Sequence, residues 1–384
     1  MPCSNRWRRG SRSSSMRTAP SPHPPDQPTP GRQAVDRHER VCEGTSMTAI
    51  EGRPVRIAIL SFAHLHAHGY ALCVKASPDA ELAVIADEDQ ERGEAMASLY
   101  GVPWAADYRE VVKRDDIDAV IICSENIHHK AMTIAAAEAG KHVLCEKPIA
   151  TSVADATAMI AACAEHGVKL QTAFPVRFNA ATVALKDAIK GGRIGAPLVI
   201  AARNPGTCPQ GWFVQPALSG GGAVIDHTVH VADVLRWMFD AEFDEVYAEI
   251  DTRIYDFDAD DTGLLMLRMS NGVTVSLDTS WSRPVNNPIW GGVEIEVIGE
   301  TGVLSLNAFD NNIELIEING PSNSRVPVEI SGDPEMINAF IDAVKNDTEI
   351  LVTGVDGLRA MEVALAAYES AKIHQPVAIA RAVV

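Results

Sequence analysis

The chain has 384 residues, 46% of them hydrophobic, and a formal charge of −18. That length accommodates two domains with sizeable cores, and the acidic balance argues against nucleic acid and anionic membrane surfaces as partners. No apolar run reaches the roughly 18 residues of a membrane span, and the seven cysteines stand singly without a CxxC pair, as in a reduced, cytoplasmic protein.

Residues 1–46 differ from the rest. Arg, Ser and Pro dominate from Arg6 to Arg32, and apolar residues are too sparse to form a core. This stretch reads as a disordered tail or as a start assigned too far upstream, with Met47 just before the first structured pattern. Val55–Leu60 reads as a buried strand, followed by the turn from Ser61 to Gly69 and a helix over 70–76. A second strand, 81–86, ends at Asp87, and a helix over 89–100 is closed by Gly101. A third strand, 119–123, leads through Ser124 to His129 into a helix over 130–139 that Gly140 stops. Then come a short strand at 143–145, the triplet Glu146-Lys147-Pro148, a helix over 152–165 and a strand at 168–173. Strands alternating with helices of this length predict a doubly wound parallel sheet, a dinucleotide-binding domain over 54–174.

The pattern changes after Phe174. A helix over 179–190 and a strand at 198–203 precede Gly220-Gly221-Gly222, which opens a helix, Ala223–Phe239. Strands then follow one another at 245–254, 263–269, 273–281, 293–298, 303–306 and 313–318, and Asn271-Gly272 is a hairpin signal between two of them. Helices over 334–345 and 355–373 end the chain. Residues 175–384 are thus expected to form an α+β domain for substrate binding and oligomerisation, with a mainly antiparallel sheet, giving an α/β plus α+β protein overall.

Glu146 and Lys147 fall at the carboxyl end of a strand, the edge where open parallel sheets bind ligands. Pro148 restricts Lys147 to an extended backbone, and a lysine fixed there can move a proton or polarise an oxygen. Asp226 and His230 lie four apart on one helix, facing one side. A carboxylate beside an imidazole raises its basicity and orients it for general base work. His227 points about 100° away and could still reach a pocket. In the first turn, the glycine positions of a dinucleotide fingerprint hold Ser61, Ala63 and His66. Asp87, at the end of the second strand, would accept ribose hydroxyls and repel a 2′-phosphate, which favours NAD over NADP. His64, His66 and His68 invite a metal-hydrolase reading. The late antiparallel strands contradict the barrel that reading needs, so no metal is expected and these histidines read as lining a pocket.

Asn126-x-x-His129, Ala136-x-x-Ala139-Gly140-Lys141-His142-Val143, Glu146-Lys147-Pro148 and Gly220-Gly221-Gly222 followed by Asp226-x-x-x-His230 together resemble the glucose–fructose oxidoreductase / inositol dehydrogenase / MocA (Gfo/Idh/MocA) family. The resemblance runs from about Val55 to the end of the chain. It implies a Rossmann domain, a second domain on an open, mainly antiparallel sheet, and NAD(P)-dependent oxidation or reduction of a sugar, cyclitol or related polyol. It also implies a homo-oligomer, a dimer or tetramer, through that sheet. Lys147 would be catalytic beside the nicotinamide, with Glu146 near its ribose. Asp226 and His230 would be the acid and histidine of the second motif. The cofactor would lie along Ser61, Phe62, Ala63, His64, His66, Asp87, Cys123, Ser124, Asn126 and His129. Arg177, Trp212 and His227, with Gln210 and Trp281, are candidates for substrate contacts. In the implied mechanism His230, oriented by Asp226, takes the hydroxyl proton as hydride leaves the same carbon, and Lys147 bonds the developing alkoxide. The missing glycines at Ser61, Ala63 and His66 depart from the family pattern. Two other activities suit the same scaffold: a glycosidase using NAD transiently, and a ligand-binding regulator without turnover.

Overall fold

In the first sheet, β1 (Val55–Leu60) is buried at five of its six positions. It is an apolar run because helices cover both faces of the sheet. β2 (Ala80–Ala86), β3 (Trp104–Ala105), β4 (Ala119–Ile122), β5 (His142–Cys145) and β6 (Leu170–Thr172) complete the sheet in the order β3-β2-β1-β4-β5-β6. All the pairings are parallel. The intervening helices are α1 (Ala67–Ala76), α2 (Gln90–Tyr100), α3 (Tyr108–Val112), α4 (His129–Glu138) and α5 (Val153–Glu165). Asp89 caps α2 by accepting from Arg92 N, and Gly101, at φ 69°, ends it in the left-handed conformation. The strand order reverses between β1 and β4, which places a crevice beyond their carboxyl ends. The computed structural model describes residue 50 and residues 52–287, 290–309, 312–317, 323–327 and 332–384. The expected tail, 1–46, and Ile318 lie outside the described residues.

The second sheet has nine strands among the described residues, β7 (Pro197–Arg203), β8 (Phe243–Asp251), β9 (Thr262–Met269), β10 (Thr274–Asp278), β11 (Glu294–Gly299), β12 (Gly302–Asn307), β13 (Asn312–Glu317), β14 (Asn323–Pro327) and β15 (Val377–Ala378). Its pairings are antiparallel except β7 with β10. β3, β14, β15 and α3, which the sequence pattern missed, are too short or too polar to show a period. On the sheet lie α6 (Ala180–Lys190), α8 (Ala223–Phe239) and α10 (Gly354–Ile373), with the short turn α7 (Pro216–Ser219) before α8. Among the described residues no helix is long and apolar enough to cross a membrane.

α8 is buried almost all round, so its two ends and its polar residues need internal partners. Asp260 supplies them at the start, accepting from Gly222 N and Val224 N at 2.8 Å each while Tyr368 Oη donates to it. A Cβ at Gly222 would stand 2.0 Å from Asp260 O, so only glycine lets the chain pass there. α9 (Asp333–Lys345) then crosses back to the first sheet. Its Met336, Ile337, Phe340 and Ile341 share one core cluster with Val55, Ile57 and Ile59 of β1. A division of the chain at residue 175 therefore does not capture α9, whose apolar stripe completes the covering of the first sheet.

Candidate active site

Lys147 leaves the end of β5, and Asp226 projects from the first turn of α8. Lys147 Nζ donates to Asp226 Oδ1 at 2.5 Å. The other oxygen, Oδ2, accepts from Trp281 Nε1 at 3.2 Å and lies 3.3 Å from His227 Nε2. Burial alone would push this carboxyl up; Lys147 and His227 outweigh it and hold it well below the usual carboxylate range. His230, one turn along α8, is 9% exposed and its Nδ1 has no partner among the described residues. Burial, and then Lys147, depress its pKa well below the ordinary histidine value, so the ring is neutral with a free lone pair. This corrects the expected pairing. Asp226 shares a face with His230, but its carboxylate accepts from Lys147 and Trp281, with His227 beside it.

Glu146 is fully buried at the end of β5. Its Oε2 accepts from Lys147 N at 2.9 Å and its Oε1 lies 3.0 Å from His66 Nδ1. Burial opposes its ionisation, but His64, His66 and Lys147 together hold it well below the usual range. Ser61 stands at φ 70°, where a fingerprint would place glycine, and its Oγ accepts from Ala63 N at 3.1 Å. His64 N donates to Cys123 O at 2.9 Å, tying the first turn to the end of β4. Burial lowers the His64 pKa to about 3, so this ring too is neutral. His68 turns away to Tyr100 Oη at 3.0 Å. His64, His66 and Glu146 offer three donor atoms within 4.8 Å of one another, already bonded within the group.

Several residues expected to touch cofactor or substrate have other partners. Asp87 is 2% exposed, and its oxygens accept from Phe62 N, Asp89 N and both Nε and NH2 of Arg92, at 2.7–3.0 Å. Its lone pairs are filled by the chain itself, which leaves none turned to a ribose. Arg177 is buried and paired with Asp233 through Nε at 2.7 Å and NH2 at 2.5 Å, so it is not a substrate contact. Trp212 donates Nε1 to Ala63 O at 3.0 Å and stacks on Phe213, and so it pins the first turn. Trp281, fully buried, orients Asp226 instead of meeting a sugar, and Gln210 is exposed outside the cavity. Asn126 Nδ2 donates to Ser219 O at 2.8 Å, Ser124 is buried, and the His129 ring spans Pro148 O and Ser124 O at 3.0 and 3.3 Å.

A cavity of about 660 Å³ adjoins these groups, large beside a monosaccharide. Lys147, Asp226, His227, His230, His64 and His66 line it. So do Asn179, Asn204, Trp290, Asp333 and Glu335, which the sequence reading missed. Asp333-Pro334-Glu335 carries a helix-start signature. Nothing local says that α9 begins at this cavity.

A doubly wound sheet with a crevice at its reversal point, and a lysine–carboxylate pair beside a neutral histidine at its edge, define a nicotinamide-dependent oxidoreductase acting on CH–OH groups. The comparisons with known proteins agree. Residues 61–174 match the model of the oxidoreductase family with an NAD-binding Rossmann fold, and residues 182–305 match the GFO/IDH/MocA C-terminal domain. A myo-inositol 2-dehydrogenase of Thermotoga maritima is 32% identical over 311 residues, 77% of this chain and 90% of that protein. A 1,5-anhydro-D-fructose reductase of Ensifer adhaerens is 31% identical, over 74% of this chain and 87% of that one. The solved levoglucosan dehydrogenase, in complex with NADH and levoglucosan, shares the fold with a TM-score of 0.78 at 23% identity, covering 85% of this chain and all of that one. The chain belongs to the Gfo/Idh/MocA oxidoreductase family. The crevice suits NAD by its chemistry: His64 Nε2 and Asn126 Oδ1 are buried without partners among the described residues, and Glu146 stands ionised beside His64.

Proposed function

We propose that the protein transfers hydride between NAD and a secondary alcohol or ketone of a sugar, cyclitol or related polyol. The observation that carries this reading is the Lys147–Asp226 pair facing the same cavity as a neutral His230. Glu146, Ser124, Asn126 and the Ser61–His66 turn would hold the cofactor, with Trp212 fixing that turn at Ala63. When bound, NAD supplies the hydride acceptor. His230, kept neutral by burial, takes the hydroxyl proton at the ring nitrogen that lacks one. Lys147 donates a hydrogen bond to the alcohol oxygen and stabilises the charge that develops there. Asp226, braced by Trp281 and His227, fixes where the Lys147 ammonium points. The relatives named as dehydrogenases and reductases of inositol and anhydrofructose support this substrate class. A screen of sugars, cyclitols and sugar acids with NAD and NADP in parallel, read by reduced-nicotinamide absorbance, tests it. Net formation of NADH with a polyol is the expected result. Tightly held cofactor with glycoside cleavage and no net NADH would favour the glycosidase.

The same reading extends to assembly and compartment. Val199, Leu264 and Met266 stand 44%, 55% and 46% exposed on the outward face of the second sheet, as a homo-oligomer contact would require. Light scattering of the purified protein checks it, and a monomer would refute it. The five described cysteines are unpaired, consistent with a cytoplasmic enzyme; labelling them in intact cells with a thiol reagent checks it, and disulfides found there would count against it.

A further inference from the structure

Asp333 opens α9, and its carboxylate faces the cavity with no hydrogen-bond or ion-pair partner among the described residues. The side chain lies over α1 at Gly69, where an added Cβ would stand 3.4 Å from Oδ2. Its neighbour Glu335 is turned back, accepting from Gly332 N at 2.8 Å. Lys147 is the one lysine or arginine among the described residues lining the cavity, and Asp226 already neutralises it. His64, His227 and His230 are kept neutral chiefly by burial, and His66 is shared with Glu146. The cavity thus holds one unengaged acceptor carboxylate and no free cation among the described residues.

We propose that Asp333 is a specificity-determining residue that accepts hydrogen bonds from substrate hydroxyls, and that the substrate is an uncharged polyol or sugar, not a phosphorylated or carboxylated one. A carboxylate only accepts, and its two oxygens suit two neighbouring hydroxyls. Burial, with Glu146 and Glu335 acting against His66, pushes the Asp333 carboxyl above its ordinary range, so the anion lacks donors that hydroxyls would supply. A phosphate or carboxylate in the same place would meet a like charge, with no arginine to hold it. The inference rests on the polyol reading above and narrows it.

The test compares kcat/KM with NAD for myo-inositol and D-glucose against myo-inositol 1-phosphate, glucose 6-phosphate and glucuronate, for the natural protein and Asp333→Asn. NADH binding by fluorescence reports that the variant is folded. We expect the anionic compounds to be at least about 100-fold poorer. Asp333→Asn should narrow that gap about tenfold, mainly through a lower KM for the anions and a higher KM for the neutral compounds. An anionic compound used as well as its neutral counterpart, or an unchanged ratio in the variant, overturns the inference while leaving the oxidoreductase reading intact. No turnover of any neutral or anionic compound overturns both.

Discussion

Lys147 Nζ and Asp226 Oδ1 are 2.5 Å apart, although 79 residues of sequence separate them. One side chain comes from the carboxyl edge of the parallel sheet and the other from the helix behind the second sheet. Both are buried, so the pair exists only when the two halves of the chain are packed together. Its charges are mutually dependent, because either one left alone in this setting lacks solvation.

That dependence separates a stability effect from a catalytic one. Lys147→Ala is expected to lower kcat by roughly 10³-fold and to lower stability by about 3 kcal/mol, because Asp226 is left buried and unpaired. The double variant Lys147→Met/Asp226→Leu should recover much of the stability and none of the activity. Urea melts and turnover on the same samples check this. Near-normal turnover by Lys147→Ala would remove the lysine from the mechanism.

His230 makes a prediction about pH. Its folded pKa is lowered by burial and by Lys147, so the neutral base persists below pH 6.5 and disappears only well beneath that value. The acid limb of kcat/KM should therefore show no break near 6.5. His230→Ala should lower kcat by about 10²–10⁴-fold. A break at 6.5 that vanishes in the variant would show the ring to titrate as an ordinary surface histidine.

Folding stability should fall in mild acid for a related reason. His64 and His142 are pushed down to about 3 and about 4 by burial. Their folded pKa values lie below the unfolded value, so between pH 6.5 and those values the unfolded chain binds more protons. Stability therefore drops as pH falls from 6.5, by about 1.4 kcal/mol per pH unit for each such group. Chemical denaturation at pH 7.5 and pH 5 should differ by several kcal/mol. A flat profile would mean that these rings open to solvent in the folded state.

Asp87 and Arg92 bear on the choice of cofactor. The bidentate pair keeps the guanidinium occupied at the end of β2, where a 2′-phosphate would approach. Asp87→Ser releases Arg92 and removes a negative charge. The NADP/NAD ratio of kcat/KM is expected to rise by more than about tenfold, a change of about 1.4 kcal/mol. An unchanged ratio would show that this pair lies off the cofactor path.

The two sheets were legible because their strands are unbroken apolar runs or clean alternations, and α8 because glycines precede it and its polar residues sit at helical spacing. Lys147, Asp226 and His230 were legible as residue types, and the fold brings them to one cavity. Their partners were not. Which donor a carboxylate faces depends on competition among groups that the fold assembles from afar: Trp281 and Lys147 for Asp226, Arg92 for Asp87, Asp233 for Arg177. Asp333 was invisible for the same reason, since only the return of α9 to the first sheet carries it to the cavity.

The reaction proposed for this site is direct hydride transfer from a neutral polyol to NAD. The measurement that tests it most directly uses myo-inositol deuterated at its carbinol carbons, with mass analysis of the reduced cofactor. One deuterium is expected in the reduced nicotinamide for each alcohol oxidised, at a rate roughly 10³-fold lower when Lys147→Ala replaces the natural protein. Reduced cofactor without deuterium, or equal transfer by the variant, would contradict it.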